Sequence, residues 1–175
     1  MNLEQNYFTL LGQPQRFSVD ISALKKRFRA LQRQYHPDRY VGKTPQEQRL
    51  AVQFSAHLNT AFTELGNPVQ RALHMLELAG IAVDHQNSTI RDSGFLMEQM
   101  EIREALDDAR AEANLTALQA LASDIETRYQ QCQQRFADDI EAASLDNNAL
   151  RDSVGKMQFF QKLADELVGI ISHLN

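Results

Sequence analysis

Residues that form cross-links and metal cages are nearly missing from this chain. Its 175 residues include one cysteine, Cys132, and no tryptophan. A single cysteine excludes an internal disulfide and a cysteine-based zinc cage. The histidines are dispersed without the paired spacing of a metal site, and there is neither a glycine-rich phosphate loop nor a nucleophile elbow. We therefore expect no metal, no cofactor and no catalytic residues.

Long apolar runs are also absent. No stretch approaches the ~20 consecutive apolar residues that span a bilayer. The first six residues lack the basic and apolar segments of a secretory signal, and they are not rich in arginine. The composition, 43% hydrophobic and 23% charged, lies in the globular range. We expect a cytoplasmic protein that makes no membrane contact.

Charge and proline are distributed unevenly. The net charge is −5, but residues 1–83 carry ten Lys and Arg against six Asp and Glu, whereas residues 84–175 carry eight against seventeen. All four prolines precede residue 70, so the second half can form long uninterrupted helices. This division predicts two regions with separate roles, of which the basic one meets an acidic partner.

The pattern of apolar residues predicts an all-α protein, because no useful alternating strand pattern occurs. Residues 81–88 are mixed and aperiodic, so we expect an N-terminal helical domain over 1–80, a linker over 81–88 and a three-helix bundle over 89–175. The predicted helices cover residues 7–11, 20–35, 44–65, 68–80, 92–112, 114–142 and 147–173.

Local signals mark several helix ends and one helix seam. Thr44-Pro45-Gln46-Glu47 is a capping box that opens the third helix, and Gly66 is expected to end it in the left-handed conformation. In the sixth helix, apolar residues recur at alternating steps of three and four, as in a helical bundle. These seam residues are Leu115, Leu118, Ala122, Ile125, Tyr129, Cys132, Phe136 and Ile140. We interpret Cys132 as a small buried hydrophobe.

The sequence His36-Pro37-Asp38-Arg39 lies between the second and third helices. Pro37 moves His36 out of helical geometry, so the loop presents an imidazole and a carboxylate in a fixed relation. The preceding helix carries a core face opposite a basic face. The core face is Leu24, Phe28, Leu31 and Tyr35, and the basic face is Lys25, Lys26, Arg29 and Arg33. The basic face is either a partner surface or an ordinary solvated face, and it lacks the aromatic residues of a nucleic-acid site.

Further spaced features extend this pattern over about residues 5–79: Tyr7-Phe8, Leu11-Gly12, Asn59, Ala61, Phe62, Leu65, Pro68 and Arg71. Together they resemble a J-domain, the module that docks on DnaK-type chaperone ATPases and stimulates ATP hydrolysis. The resemblance implies that His36, Pro37, Asp38 and Arg39 contact the chaperone, and that the basic face steers the encounter. Arg39 stands where most J-domains have lysine, which keeps the charge.

The fifth helix has more apolar residues than its core needs. Phe95, Ile102, Leu106 and Ala109 share one face, which is sufficient for packing. Leu96, Met97 and Met100 lie toward the other side, beside Glu101, Glu104, Asp107 and Asp108. They form either an adaptable binding surface or a face that the last helix or the first domain covers. Phe159 lies opposite the stripe of Leu150, Val154 and Met157 in the last helix, and it either joins this surface or broadens the core.

The string from Arg91 to Glu104, RDSGFLMEQMEIRE, with the preceding J-domain and the chain length, resembles the HscB family of iron–sulfur co-chaperones. The resemblance implies a bundle that binds the cluster scaffold IscU and a J-domain that delivers it to the DnaK-type chaperone HscA. The family's scaffold-binding residues map onto Leu96, Met97, Met100, Glu101, Glu104 and Phe159. No cysteine-rich zinc segment precedes the J-domain, so a bacterial-type member is expected.

Alternative functions remain open from the sequence alone. A J-domain co-chaperone could use its bundle for a different client. A helical nucleic-acid-binding protein could use the basic second helix, although the −9 charge of residues 84–175 argues against this. The sequence does not determine the oligomeric state, and we expect a monomer.

Overall fold

A computed structural model describes residues 1–82, 92–142 and 144–174. Within these residues the protein is helical and contains no strand, which confirms the predicted all-α class. None of the described helices is long and apolar enough to cross a membrane. The α-helices are α1 (Tyr7–Leu10), α2 (Ile21–Gln34), α3 (Pro45–Gly66), α4 (Pro68–Leu78), α5 (Ser93–Ala111), α6 (Leu115–Ile140) and α7 (Asn147–Leu174), and a short 3-10 helix covers Pro37–Tyr40.

The chain divides into two compact units, unit 1 (Met1–Ala79) and unit 2 (Gly80–Asn175). Most of the predicted linker, residues 83–88, lies outside the described residues, as does Arg91. Unit 1 contains α1–α4 and the 3-10 helix, and unit 2 contains α5–α7. The His36-Pro37-Asp38 sequence and the apolar residues Leu96, Met97 and Met100 of α5 therefore belong to different units.

Side-chain caps define the helix starts in unit 1. The Asp20 carboxylate accepts hydrogen bonds from the backbone N–H groups of Ser22 (2.8 Å) and Ala23 (3.0 Å) at the start of α2. The predicted capping box is confirmed, because Glu47 accepts from the Thr44 N–H (2.9 Å) and the Thr44 hydroxyl accepts from the Glu47 N–H (3.3 Å). The Thr44 capping box fixes the start of α3, directly after the loop that follows the end of α2 at Gln34.

The prediction that Gly66 adopts the left-handed conformation is wrong. Gly66 is the last residue of α3, and the positive φ of 71° belongs to Gly80, beyond the end of α4. Asn67 is extended (φ −98°, ψ 124°) because it precedes Pro68, and its side chain already caps α4. Because α4 begins at once, no left-handed residue is needed to end α3. The fourth helix ends at Leu78, two residues before the predicted Gly80.

Part of the core of unit 1 lies between α2 and α3. The ring of Phe28 stacks on Phe62 with centroids 4.2 Å apart, and Tyr35 meets Phe54 edge to face at 4.8 Å. These pairs show that α2 and α3 are antiparallel. Leu24 and Leu31 are buried on the same side of α2. The predicted core face therefore packs against α3, and the opposite face of α2 is left to solvent.

In unit 2, α5 packs against the pair formed by α6 and α7. Of the predicted α6 seam, four residues are buried and four are half-buried. The buried ones are Leu118, Ile125, Tyr129 and Phe136, and the half-buried ones are Leu115, Ala122, Cys132 and Ile140. Burial raises the pKa of the Cys132 thiol, which favours its protonated form. This fits the interpretation of Cys132 as a packing residue.

Candidate partner-binding surfaces

The His36-Pro37-Asp38 segment forms an exposed turn at the end of α2, which we call the HPD turn. His36 is extended (φ −61°, ψ 133°), and Pro37 opens the 3-10 helix. The Asp38 N–H donates to His36 Nδ1 at 3.3 Å, and the Arg39 N–H donates to the His36 carbonyl oxygen at 3.0 Å. The His36 side chain is 49% exposed and that of Asp38 is 86% exposed. A short ordered turn therefore presents both groups to solvent.

Neighbouring residues attach the HPD turn to both helices. The ring of Tyr35, immediately before the turn, packs on Phe54 of α3. Arg39 Nη1 donates to the carbonyl oxygen of Arg33 in the last turn of α2 at 3.5 Å. The Arg39 guanidinium thus adds positive charge where the carbonyl end of α2 is electronegative. The turn is held by contacts to both α2 and α3.

The predicted basic residues form one continuous face. Lys25, Lys26, Arg29 and Arg33 are all exposed, and with Ser22 and Ala30 they line a shallow groove along α2. At about 100° per residue, these six residues cover a sector of about 140° around the axis of α2, on the side opposite Leu24 and Leu31. The residues of α2 include no acidic side chain that would neutralise this face. The resulting surface is positive and ends at the HPD turn.

On α5, the predicted apolar residues are solvent-exposed. Leu96 is 48% exposed, Met97 is 66% exposed and Met100 is 73% exposed. Glu101 and Glu104 continue the same face and are exposed as well. We call these five residues the α5 outer face. Phe95, Ile102, Leu106 and Ala109 are buried on the opposite side. The alternative that the last helix covers Leu96, Met97 and Met100 is therefore wrong.

Phe159 differs from the α5 outer face in being half-buried. Its ring meets Phe95 edge to face at 5.6 Å and Phe160 at 5.3 Å. The Arg103 guanidinium lies 5.9 Å from the ring centroid. Phe159 therefore lies against α5 and broadens the core, which was one of the two interpretations from the sequence. Part of its surface remains accessible.

Ion pairs between α5 and α7 were not predicted from the sequence. Arg103 pairs with Glu166 at 2.6 Å, and Lys156 pairs with Asp92 at 2.7 Å while lying 5.0 Å from the centroid of the Phe95 ring. The hydrogen bond from Lys156 lowers the pKa of Asp92, which also caps α5. The partners are 63 and 64 residues apart, so no local pattern links them.

A buried histidine lies in unit 1, away from the HPD turn. The ring of His74 stacks on Tyr7 with centroids 4.4 Å apart, and Glu77 and Glu64 lie 3.6 Å and 3.9 Å from its Nδ1. Burial lowers the pKa of His74 and raises that of Tyr7, so both side chains favour their neutral forms. No three of the described His, Cys, Asp and Glu residues could hold a metal ion. This cluster is part of the core.

Two solved structures similar to this chain are of HscB proteins. Chaperone HscB from Vibrio cholerae superimposes with a TM-score of 0.85 at 32% identity, covering 98% of this chain and all of that one. The crystal structure of human co-chaperone protein HscB gives a TM-score of 0.86 at 27% identity, covering 96% of this chain and 83% of that one. The Jac1 co-chaperone from Saccharomyces cerevisiae shares the fold, with a TM-score of 0.70 at 20% identity.

Sequence comparisons agree with the structural ones. The family model for the HSCB C-terminal oligomerisation domain matches residues 91–168. A co-chaperone protein HscB homologue from Shewanella baltica (strain OS195) is 39% identical, and the alignment covers 94% of this chain and 96% of the homologue. Co-chaperone protein HscB from Proteus mirabilis (strain HI4320) is 38% identical over 93% of both chains. The chain therefore belongs to the HscB family of co-chaperones.

Proposed function

We propose that this co-chaperone binds the iron–sulfur scaffold IscU with unit 2, delivers it to the DnaK-type chaperone HscA and stimulates ATP hydrolysis by HscA through unit 1. It thereby assists the maturation of iron–sulfur proteins in the cytoplasm. The observation that carries the proposal is the exposed HPD turn at the end of a continuous basic face on α2. Membership of the HscB co-chaperone family supports it.

On unit 1, the basic face and the HPD turn have different roles. Lys25, Lys26 and Arg29 attract an acidic surface of HscA and mainly raise the association rate, an effect that salt weakens. The HPD turn then makes the contact that promotes hydrolysis. The side chain of Asp38 is 86% exposed, so its carboxylate can accept a charge-assisted hydrogen bond from an arginine of the partner, worth about 1.5–3 kcal/mol.

On unit 2, the α5 outer face binds IscU. Leu96, Met97 and Met100 provide an apolar centre, and Glu101 and Glu104 provide a charged rim, which is the usual arrangement of a protein interface. Phe159 adds the accessible part of its ring from α7. The unbranched methionine side chains can adjust to the shape of the partner.

The two surfaces act together because they belong to one chain. Once IscU is bound to unit 2, docking of unit 1 raises the concentration of IscU near HscA without any new contact between them. The protein itself needs no active site for this role, since the ATPase reaction takes place on HscA. Binding alone accounts for the proposed activity.

Single-turnover ATP hydrolysis by HscA tests the proposal. The rate should rise more with this protein and IscU together than with either alone, and His36→Gln should remove the effect. His173→Gln, which changes an exposed histidine in the last turn of α7, is the matched control and should keep full stimulation. Stimulation without any added effect of IscU would contradict the proposed client and indicate a different one. Full stimulation by His36→Gln would contradict the role of the HPD turn.

A further inference from the structure

Arg103 connects the two helices that carry the proposed scaffold-binding residues. Its Nη1 donates to Glu166 Oε2 of α7 at 2.6 Å, and the two side chains are 39% and 36% exposed. A short charge-assisted hydrogen bond of this kind restricts the geometry of both side chains. The pair therefore fixes the position of the Arg103 guanidinium between α5 and α7.

The fixed guanidinium lies over the ring of Phe159. The distance from Arg103 Cζ to the ring centroid is 5.9 Å, within the range of a cation–π contact. Phe95 and Phe160 contact the same ring edge to face at 5.6 Å and 5.3 Å. Contacts with three side chains thus define the orientation of Phe159, and one of them, Arg103, is itself tied down by Glu166.

Arg103 also borders the α5 outer face. It follows Met100 by three residues and Leu96 by seven, so that at about 100° per residue it lies about 20° from Leu96 around the helix. Phe159 reaches α5 from α7 on this side, because Arg103 contacts it. Arg103 is therefore placed at the junction between the apolar side chains of α5 and the aromatic ring of α7.

We propose that Arg103 is a positioning residue for scaffold binding, which holds the Phe159 ring against α5 in the orientation that the scaffold recognises. The proposal rests on the proposed function of the α5 outer face and Phe159. Binding then does not have to immobilise a mobile aromatic side chain, which would weaken the complex. A planar guanidinium that is held by a carboxylate suits this task better than the flexible ammonium of lysine.

Binding of IscU to four variants, measured by isothermal titration calorimetry, tests this role. Arg103→Met should weaken binding about threefold to tenfold, the usual cost of ordering one side chain on binding. In a Phe159→Ala background, Arg103→Met should change the affinity by less than about twofold, because its effect acts through the ring. Arg110→Met, the same substitution further along α5, is the matched control and should bind normally. Additive losses for Arg103 and Phe159 would overturn the proposal.

A variant of Glu166 separates positioning from a general loss of structure. Glu166→Gln removes the ion pair but keeps both the Phe159 ring and the Arg103 side chain, which is then less firmly held. It should therefore weaken IscU binding less than Arg103→Met and leave thermal unfolding nearly unchanged. The aromatic NMR signals of Phe159 in the free protein should shift in both variants. If these signals and the IscU affinity of Glu166→Gln are both those of wild type, the proposal is wrong.

The outcomes distinguish this inference from the proposed function on which it rests. If Phe159→Ala weakens IscU binding but Arg103→Met does not, the inference fails and the binding surface stands. If Phe159→Ala and Met97→Ala both bind IscU normally, the proposed surface fails and the inference fails with it.

Discussion

Substitution of Met97 by alanine tests the α5 outer face most directly. Met97 is 66% exposed in the free protein, so about two thirds of its side chain is available for burial by a partner. Complete burial of a methionine side chain contributes about 1.5–3 kcal/mol. Burial of the exposed two thirds therefore contributes about 1–2 kcal/mol. Since about 1.4 kcal/mol corresponds to a tenfold change in affinity, Met97→Ala should weaken IscU binding about fivefold to thirtyfold.

Isothermal titration calorimetry with IscU measures this loss, and a matched variant controls for exposed apolar surface in general. Val168 is 68% exposed on α7 and lies nine residues after Phe159, about 180° around the helix. Val168→Ala should bind IscU like wild type. Thermal unfolding of Met97→Ala should be unchanged within about 0.5 kcal/mol, because the side chain is not part of the core. An affinity of Met97→Ala within twofold of wild type would refute the assignment of this surface.

Three further predictions concern unit 1. Asp38→Asn should abolish stimulation of HscA while leaving thermal unfolding unchanged, since its carboxylate is 86% exposed; normal ATPase stimulation would contradict this. Charge reversal at Lys26 and Arg29 should slow association with HscA about tenfold or more at low salt, and a stopped-flow difference that does not shrink with added salt would refute steering. Because burial lowers the pKa of His74 below its usual value near 6.5, the unfolded state takes up the proton more readily, so stability should fall as the pH drops below about 6.5. His74→Phe should reduce this loss in thermal unfolding between pH 7.5 and 5.5, and an equal loss in both proteins would exclude His74 as its source.

Most of the helical fold could be predicted because its signals are local. The capping box at Thr44 and the cap at Asp20 lie within a few residues of the N–H groups that they satisfy. Gly66 misled the prediction because two rules competed at one site. A glycine near a helix end favours a left-handed residue, but Asn67 before Pro68 provided both an extended residue and the cap of the next helix.

The proposed binding surfaces were predictable to different degrees, because some of their features are local to one helix and others depend on how two helices pack. The exposure of Leu96, Met97 and Met100 follows from the period of a single helix, and the structure agrees with it. The environment of Phe159 depends on how α5 and α7 are aligned, and this alignment brings Arg103 to its ring from 56 positions earlier in the chain. Periodicity within one helix carries no information about such a register, so neither the ring contacts nor the Arg103–Glu166 pair could be found in advance.

The opposite placement of buried and exposed apolar residues on α5 has a consequence for how this protein can change over evolution. Phe95, Ile102 and Leu106 are buried in the core, whereas Leu96, Met97 and Met100 are exposed and contribute little to its packing. If the α5 outer face binds the scaffold as proposed, substitutions in the second set would alter the choice of client without endangering the fold, and a new client would need no stabilising mutations elsewhere. Phe159 would lack this freedom, because its ring also packs on Phe95 and Phe160, so a change at this position alters the core.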